Sequence, residues 1–481
     1  MVKVIKDFFL KQFIKGVFWI TPRLSDRTII RLTHVAEQLV PEKFKKTVRY
    51  VRDKWESQHP SVGLVKKILT QLNKRSRNKL AENLFVNALF IGAKRRWKFI
   101  KQHGFKPPFL LVISPTMRCN LRCKGCYAGE YTREEDLDFE TVDRIIREAK
   151  RLGVYFYTIS GGEPYVWEGL FKMFKKHNDC YFQTYTNGTL LNERNAEKLA
   201  KLGNVAAAIS VEGFERETDL RRGKGVYKKV MKAMDNLRNA GVLFGFSATP
   251  TKYNSEILSS KKFIDFYINK GCLFGWYFQY IPIGLRPNVD MMATPEQRLR
   301  LLKFVHWVRA NRPIFIGDFW NDGPYVGGCM AGALAKDFNT GYLHINCHGD
   351  VEPCVFSHFA VDNIKNKSLW KAITSPFFKE ISKQRPYVEN LLRPCMIIDC
   401  PYVLRKAVKK CNARPTHSGA ETIVEDKKIV RHLDNYSKKW KKLTDPIWKK
   451  WKEGNIDLAK EYEEEVLKKE RLRKERGRKR R

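Results

Sequence analysis

The stretch FLLVISPTMRCNLRCKGCY, residues 109–127, decides how this chain is read. It opens as a short apolar run of strand type. It then breaks into a polar loop carrying Cys119, Cys123 and Cys126 at C-x3-C-x2-C spacing. Working outward, five more apolar, β-rich runs follow at 155–160, 181–186, 205–210, 243–248 and 275–281. Helix-type segments lie between them near 141–152, 170–178, 194–202, 226–240 and 259–270, and several close on a glycine, as at Gly203 and Gly271. Strands alternating with helices imply a parallel sheet with right-handed crossovers. The expected fold is therefore α/β. It is a partial (β/α)6 TIM-type barrel over residues 107–312, with a cysteine-rich C-terminal extension over 313–420. Basic helical segments at 1–106 and 421–481 flank these two.

In parallel α/β folds the chemistry sits beyond the carboxyl ends of the strands. The unusual residues of this chain collect there. The three-cysteine loop follows the first strand, Gly161-Gly162-Glu163-Pro164 the second, Asn187-Gly188 the third and Glu212 the fourth. Three thiolates at this spacing can hold three irons of a four-iron cube, leaving the fourth iron without a protein ligand. An open metal position is where a reactant binds. The competing reading is a closed zinc site, completed by Cys180 or His103.

The loop resembles the signature of the radical S-adenosylmethionine (SAM) superfamily. The resemblance implies an enzyme with a 4Fe–4S cluster held by Cys119, Cys123 and Cys126. SAM would chelate the open iron and be cleaved reductively to a 5′-deoxyadenosyl radical, which takes a hydrogen atom from the substrate. It further implies that Gly161, Gly162 and Glu163 hold the SAM ammonium, since a carboxylate suits that cation. Ser210 and Glu212 would hold the ribose hydroxyls, Asn187 would make a polar contact, and Arg222 would pair with the SAM carboxylate, with Arg221 competing. An electron donor such as ferredoxin or flavodoxin is also implied. One departure is Gly125, where the family commonly has an aromatic residue; Tyr127 is the candidate to supply part of that packing.

Six further cysteines cluster downstream: Cys329, Cys347, Cys354, Cys395, Cys400 and Cys411. The stretch Gly349-Asp350-Val351-Glu352-Pro353-Cys354 resembles the SPASM or Twitch extension of radical SAM enzymes. That resemblance implies auxiliary iron–sulfur binding, with all six as candidate ligands and one auxiliary cluster expected. Six thiols can complete one four-cysteine cluster with two left over. Cys180 and Cys272 are isolated and read as small buried hydrophobes. The segment Trp320–Tyr325 joins the barrel to this region and is a candidate cavity lining, although sequence identifies no hydrogen-atom donor.

The chain has 481 residues, with 91 Lys and Arg against 51 Asp and Glu, for a formal charge of +40. So large an excess calls for an anionic partner. In residues 1–20, Lys3, Asp7, Lys11 and Lys15 make a narrow polar stripe among apolar residues, a pattern that suits a helix at a membrane interface. Lys438–Lys442 and Trp448–Lys452 mix Trp and Lys as a headgroup layer favours. The leading expectation is thus a substrate with an unactivated alkyl chain. This would be a membrane lipid, with carbon–carbon bridging of the tetraether kind, acted on by a cytoplasmic enzyme peripheral to the inner membrane face. The first alternative is a peptide- or protein-modifying SPASM-type maturase. The second is an RNA-modifying enzyme, for which the tail offers charge but no recognised RNA-binding motif. No convincing signal peptide and no run of 18 apolar residues is found.

Overall fold

The structure, a computed structural model, describes residues 16, 24–39, 42–128, 136–284, 286–332 and 341–478. Apart from Gly16, the expected interface helix over 1–20 lies outside them. The central element is a nine-stranded sheet. Its strands are β1 (Leu110–Ile113), β2 (Phe156–Ile159), β3 (Tyr181–Thr186), β4 (Val205–Val211), β5 (Phe244–Ala248), β6 (Phe274–Tyr277), β7 (Phe315–Asp318), β8 (Tyr342–Ile345) and β9 (Val351–Glu352). They lie in the order β7-β6-β5-β4-β3-β2-β1-β8-β9. Every neighbouring pair is parallel except β8–β9. This is a partial barrel, as expected. The repeat does not stop at 312, however. It runs on through helix Pro295–Asn311 into β7, and β8 from the cysteine-rich region pairs with β1, Leu110 opposite Tyr342.

Period-two alternation divides each strand between two cores. On β1, Leu111 and Ile113 face the outer helices, while Val112 faces inward with Trp320 and Tyr342. On β4, Ala207, Ile209 and Val211 face outward and the small Ala206 and Ala208 inward. The crossover helices cover the outer face with narrow apolar stripes. Helix Phe139–Arg151 buries Val142, Ile145, Ile146 and Ala149 completely, at the spacing of one helical face. Val142, Ile145 and Ile146 each contribute roughly 1.5–3 kcal/mol on burial. Left-handed glycines, Gly203 at φ 75° and Gly271 at φ 108°, end two of these helices and turn the chain back to the sheet.

The N-terminal helices close the amino end of the barrel. Leu72 and Leu80 pack with Tyr181, Leu243 and Phe274 at the strand starts. The Asn83 amide donates to the carbonyls of Asn178 and Cys180 just before β3.

At the other end of the chain, helix Lys427–Lys452 buries Ile429, Leu433, Tyr436 and Trp440 along one face. This corrects the headgroup reading of its tryptophans. Trp440 is fully buried, donates to the Leu392 carbonyl at 2.9 Å and stacks on Arg298. Trp448 and Trp451 pack against a core of Leu302, Leu392 and Leu458. Tertiary packing has claimed the aromatic face, leaving the lysines outside. Helix Leu458–Arg478 straps onto helix Pro295–Asn311, with Tyr462 buried and Glu463 accepting from the Trp307 indole at 2.8 Å. Among the described residues, no helix is long and apolar enough to cross a membrane.

Candidate functional site

The cysteine loop lies at the carboxyl end of β1, and three strand-end segments clamp it. After β2, Gly162 N–H donates to the Thr116 carbonyl (3.0 Å) and Glu163 N–H to the Arg118 carbonyl (2.9 Å). A Cβ on Gly161 would stand 2.2 Å from the Thr116 oxygen, and one on Gly162 2.2 Å from the Arg118 oxygen. The paired glycines are therefore required by backbone contact with the loop itself.

After β3, the Asn187 amide donates to Asn120 Oδ1 (2.8 Å) and lies 3.8 Å from the Cys119 sulfur. After β4, helix Glu215–Arg222 ends against the loop, where Lys124 N–H donates to the Arg221 carbonyl (2.9 Å). Arg222 Nη1 lies 4.0 Å from the Cys123 sulfur.

Two buried carboxylates organise these clamps. Glu163 accepts from Thr186 Oγ1 (2.7 Å), Asn187 N–H (2.7 Å) and Tyr165 N–H (3.2 Å). Burial nonetheless pushes its carboxyl up to about 7, against those hydrogen bonds. Glu212 Oε1 accepts from both Arg221 (2.7 Å) and Arg222 (2.6 Å). Burial opposes the Arg222 charge, but Glu212 outweighs it and holds the guanidinium above its ordinary value. The competition between the two arginines thus ends in a shared carboxylate. Ser210 is half-buried at the end of β4, in register with Ser247 of β5.

The donor set fits an iron–sulfur cluster. Burial pushes the Cys119 thiol up to about 11 and raises that of Cys126, so their thiolate forms need a bound cation. A cube spreads its three thiolates over three irons, whereas a zinc site gathers its ligands on one.

Gly125 adopts φ +63°, and a Cβ there would meet the Tyr280 ring at 2.8 Å. Tyr280 and Met291 fill the space beside it. Tyr127 does pack close by, with its hydroxyl 2.9 Å from Ser160 Oγ and its ring against Phe356. Sequence gave no signal for Tyr280, Met291 or Asn254, whose amide donates to the Glu212 carbonyl.

The six downstream cysteines divide. Cys329, Cys354, Cys395 and Cys400 lie in one core, where the Cys329 thiol interacts electrostatically with each of the other three. The Tyr342 hydroxyl is 2.9 Å from the Cys354 sulfur. Cys347 is not brought to this core, and Cys411 only borders it. Cys347 is buried against Met117, Ala128 and Cys126 of the first loop, because β8 carries it to the β1 side. Cys411 packs at the margin of that same core, but at the far end of helix Pro401–Cys411 from Cys400, where it faces Glu380 and Lys410. Cys180 and Cys272 lie in the outer apolar core.

Between the two cysteine groups runs a chain of aromatic rings: Tyr127, Phe356, Trp320, Phe319 and Tyr342, at successive centroid distances of 5.4, 5.4, 5.7 and 5.6 Å. Phe278 and Tyr185 extend this row of packed rings across the barrel. Trp320 belongs to it, whereas Tyr325 lies outside, half-exposed against Trp451.

These features define a barrel enzyme built to hold iron–sulfur clusters at two places. The model of the radical SAM superfamily matches residues 113–256, and that of the SPASM iron–sulfur cluster-binding domain matches residues 338–401. Mycofactocin maturase MftC of Mycobacterium ulcerans is 33% identical over 313 residues, covering 61% of this chain and 79% of the relative. The AdoMet-dependent heme synthase of Oleidesulfovibrio alaskensis is 22% identical over 58% of this chain and 78% of the relative. Among solved structures, Streptococcus suis SuiB bound to S-adenosylmethionine aligns with a TM-score of 0.52 at 20% identity, covering 63% of this chain and 76% of SuiB. The chain belongs to the radical SAM superfamily and carries a SPASM domain. Membership implies SAM with its 4Fe–4S cluster, and the SPASM domain implies auxiliary iron–sulfur binding.

Proposed function

We propose that this chain is a maturase that modifies a peptide by radical chemistry. The observation that carries the reading is the identity to a maturase, which extends over 79% of that relative's length and 61% of this chain. The fold it shares with SuiB, also solved with a precursor peptide, is consistent with it. The aromatic lining between the two cysteine groups suits an apolar or aromatic side chain presented on an extended peptide.

On this reading Cys119, Cys123 and Cys126 hold the SAM-binding cluster, and Cys329, Cys354, Cys395 and Cys400 hold the auxiliary one. Bound there, the cluster and SAM would supply one-electron reductive chemistry that opens the way to hydrogen-atom abstraction. The chain's own residues do the rest. Glu163 would receive the SAM ammonium and Arg222 would face its carboxylate. Gly161 and Gly162 let the backbone close on the loop, and Asn187, Ser210 and Glu212 offer polar contacts around the same mouth. The packed aromatic rings would keep water from the space between the two cysteine groups.

The lipid reading loses its C-terminal support to the burial of Trp440, and its remaining support, residues 1–20, lies outside the described residues. The test is anaerobic turnover of the reconstituted protein with SAM in three extracts: small peptides, polar lipids and tetrapyrroles. A mass change in a peptide that also co-purifies with the protein is expected. Conversion confined to a lipid or tetrapyrrole would overturn the proposal.

A further inference from the structure

A basic cleft opens beside the first cysteine loop. It consists of two adjoining cavities of about 470 and 300 Å³ that share Val289, Asp290, His432 and Asn435. One wall is the start of helix Lys427–Lys452 and the other is the segment 289–296. Lys252, Lys427, Lys428, Arg431 and Lys439 line it, against the carboxylates of Asp290 and Glu296. The cations therefore set its sign.

The wall formed by segment 289–296 also touches the cysteine loop. Met291, between Asp290 and Met292, places its sulfur and methyl 3.2 and 3.1 Å from the Cβ position of Gly125. Lys252 N–H donates to the Met291 carbonyl, tying Lys252 to that wall. Tyr280, which accepts from Asn288 N–H at 3.2 Å, fills the rest of the space beside Gly125. Met291 thus links the segment that lines the cleft to the loop residues between Cys123 and Cys126.

We propose that this cleft docks an acidic one-electron donor protein that reduces the cluster held by Cys119, Cys123 and Cys126; the inference rests on the cluster assignment above. One electron leaves the reduced flavin or iron–sulfur group of the donor and enters that cluster, with no bond made or broken. Electron transfer falls steeply with distance, so a donor must reach the outer side of the loop, and the cleft provides that approach. A cationic recess draws an acidic partner and raises its association rate by about 10- to 1000-fold at low salt. The aromatic residues Tyr185, Phe278, Trp320 and Phe356 between the two cysteine groups line neither cavity. On the peptide reading the substrate approaches those rings, whereas a donor need not.

The experiment compares reduction of the reconstituted holoenzyme by reduced flavodoxin and by reduced methyl viologen, following cluster bleaching in a stopped flow. The variant is K428E/R431E, both positions exposed on the helix surface. The flavodoxin rate is expected to fall about tenfold or more and to lose most of its salt dependence. The small cationic dye is expected to reduce wild type and variant alike. An unchanged flavodoxin rate, or an equal loss with both reductants, overturns the docking site. Weaker binding of an acidic peptide with an unchanged flavodoxin rate also overturns it and gives the cleft to the peptide. A cluster that the dye cannot reduce in either protein sinks the cluster assignment itself.

Discussion

Arg298 and Asp399 form a fully buried, two-pronged ion pair, with guanidinium–carboxylate distances of 2.6 and 3.1 Å. Arg298 projects from helix Pro295–Asn311 of the barrel, and Asp399 lies in the loop between Cys395 and Cys400. Asp399 also accepts from the Cys395 N–H at 3.0 Å, and the Trp440 ring covers the guanidinium. The pair therefore fixes two candidate auxiliary ligands to the barrel wall.

Removing one partner strands a buried charge, which costs about 3–5 kcal/mol. D399A should lower stability by that order in denaturant unfolding. It should also lose auxiliary-cluster iron while the SAM-site spectrum remains. Retention of both clusters at wild-type stability would remove this anchor from the account.

Alanine at Cys119, Cys123 and Cys126 together should abolish SAM cleavage and one set of iron–sulfur signals, leaving the other. C354A should do the reverse, eroding the second set and sparing binding of SAM. Electron paramagnetic resonance of each variant after reconstitution distinguishes the two. Equal loss of both sets in either variant would contradict two separable sites.

Glu163 gives a pH signature. Its folded-state value of about 7 stands above the ordinary 4.5, so the folded protein prefers the protonated form. Stability associated with this group is full below about pH 4.5 and is lost as pH rises toward 7, on the order of 3 kcal/mol. E163Q should remove that loss, so the cluster-free variant should gain stability over wild type near pH 7.5 and not near pH 5. Parallel melting curves across pH check this. A bound cation at the carboxylate should shrink the difference.

Tyr342 is placed to donate to the Cys354 sulfur once that thiol is ionised. Such a bond is worth about 1 kcal/mol, which for one electron is on the order of 40 mV. Y342F should shift the auxiliary potential negative by that order in a redox titration, with the SAM-site potential unmoved.

The sequence discloses the strand-end motifs because their residue types are constrained locally. Gly161-Gly162 must admit a neighbouring backbone, and Cys119, Cys123 and Cys126 must share one loop. It does not disclose β7, whose four residues include a glycine and an aspartate, or β8, whose partner β1 lies more than two hundred residues earlier. The same blindness misplaces Trp440, since an aromatic-lysine run reads alike whether its ring meets lipid or Arg298. Cys347 and Cys411 have the right chemistry for an iron ligand, but only the packing of β8 and of helix Pro401–Cys411 sets them apart.

The pairing of β8 with β1 has a consequence for biosynthesis. As the ribosome extends the chain at about 5–20 residues per second, the edge of β1 waits roughly ten to fifty seconds for the segment that covers it. Over that interval the nascent barrel exposes an unsatisfied strand, the kind of template on which other chains aggregate. Holding by a chaperone during translation, or early insertion of iron at the first loop, would shelter that edge until the second half of the protein emerges.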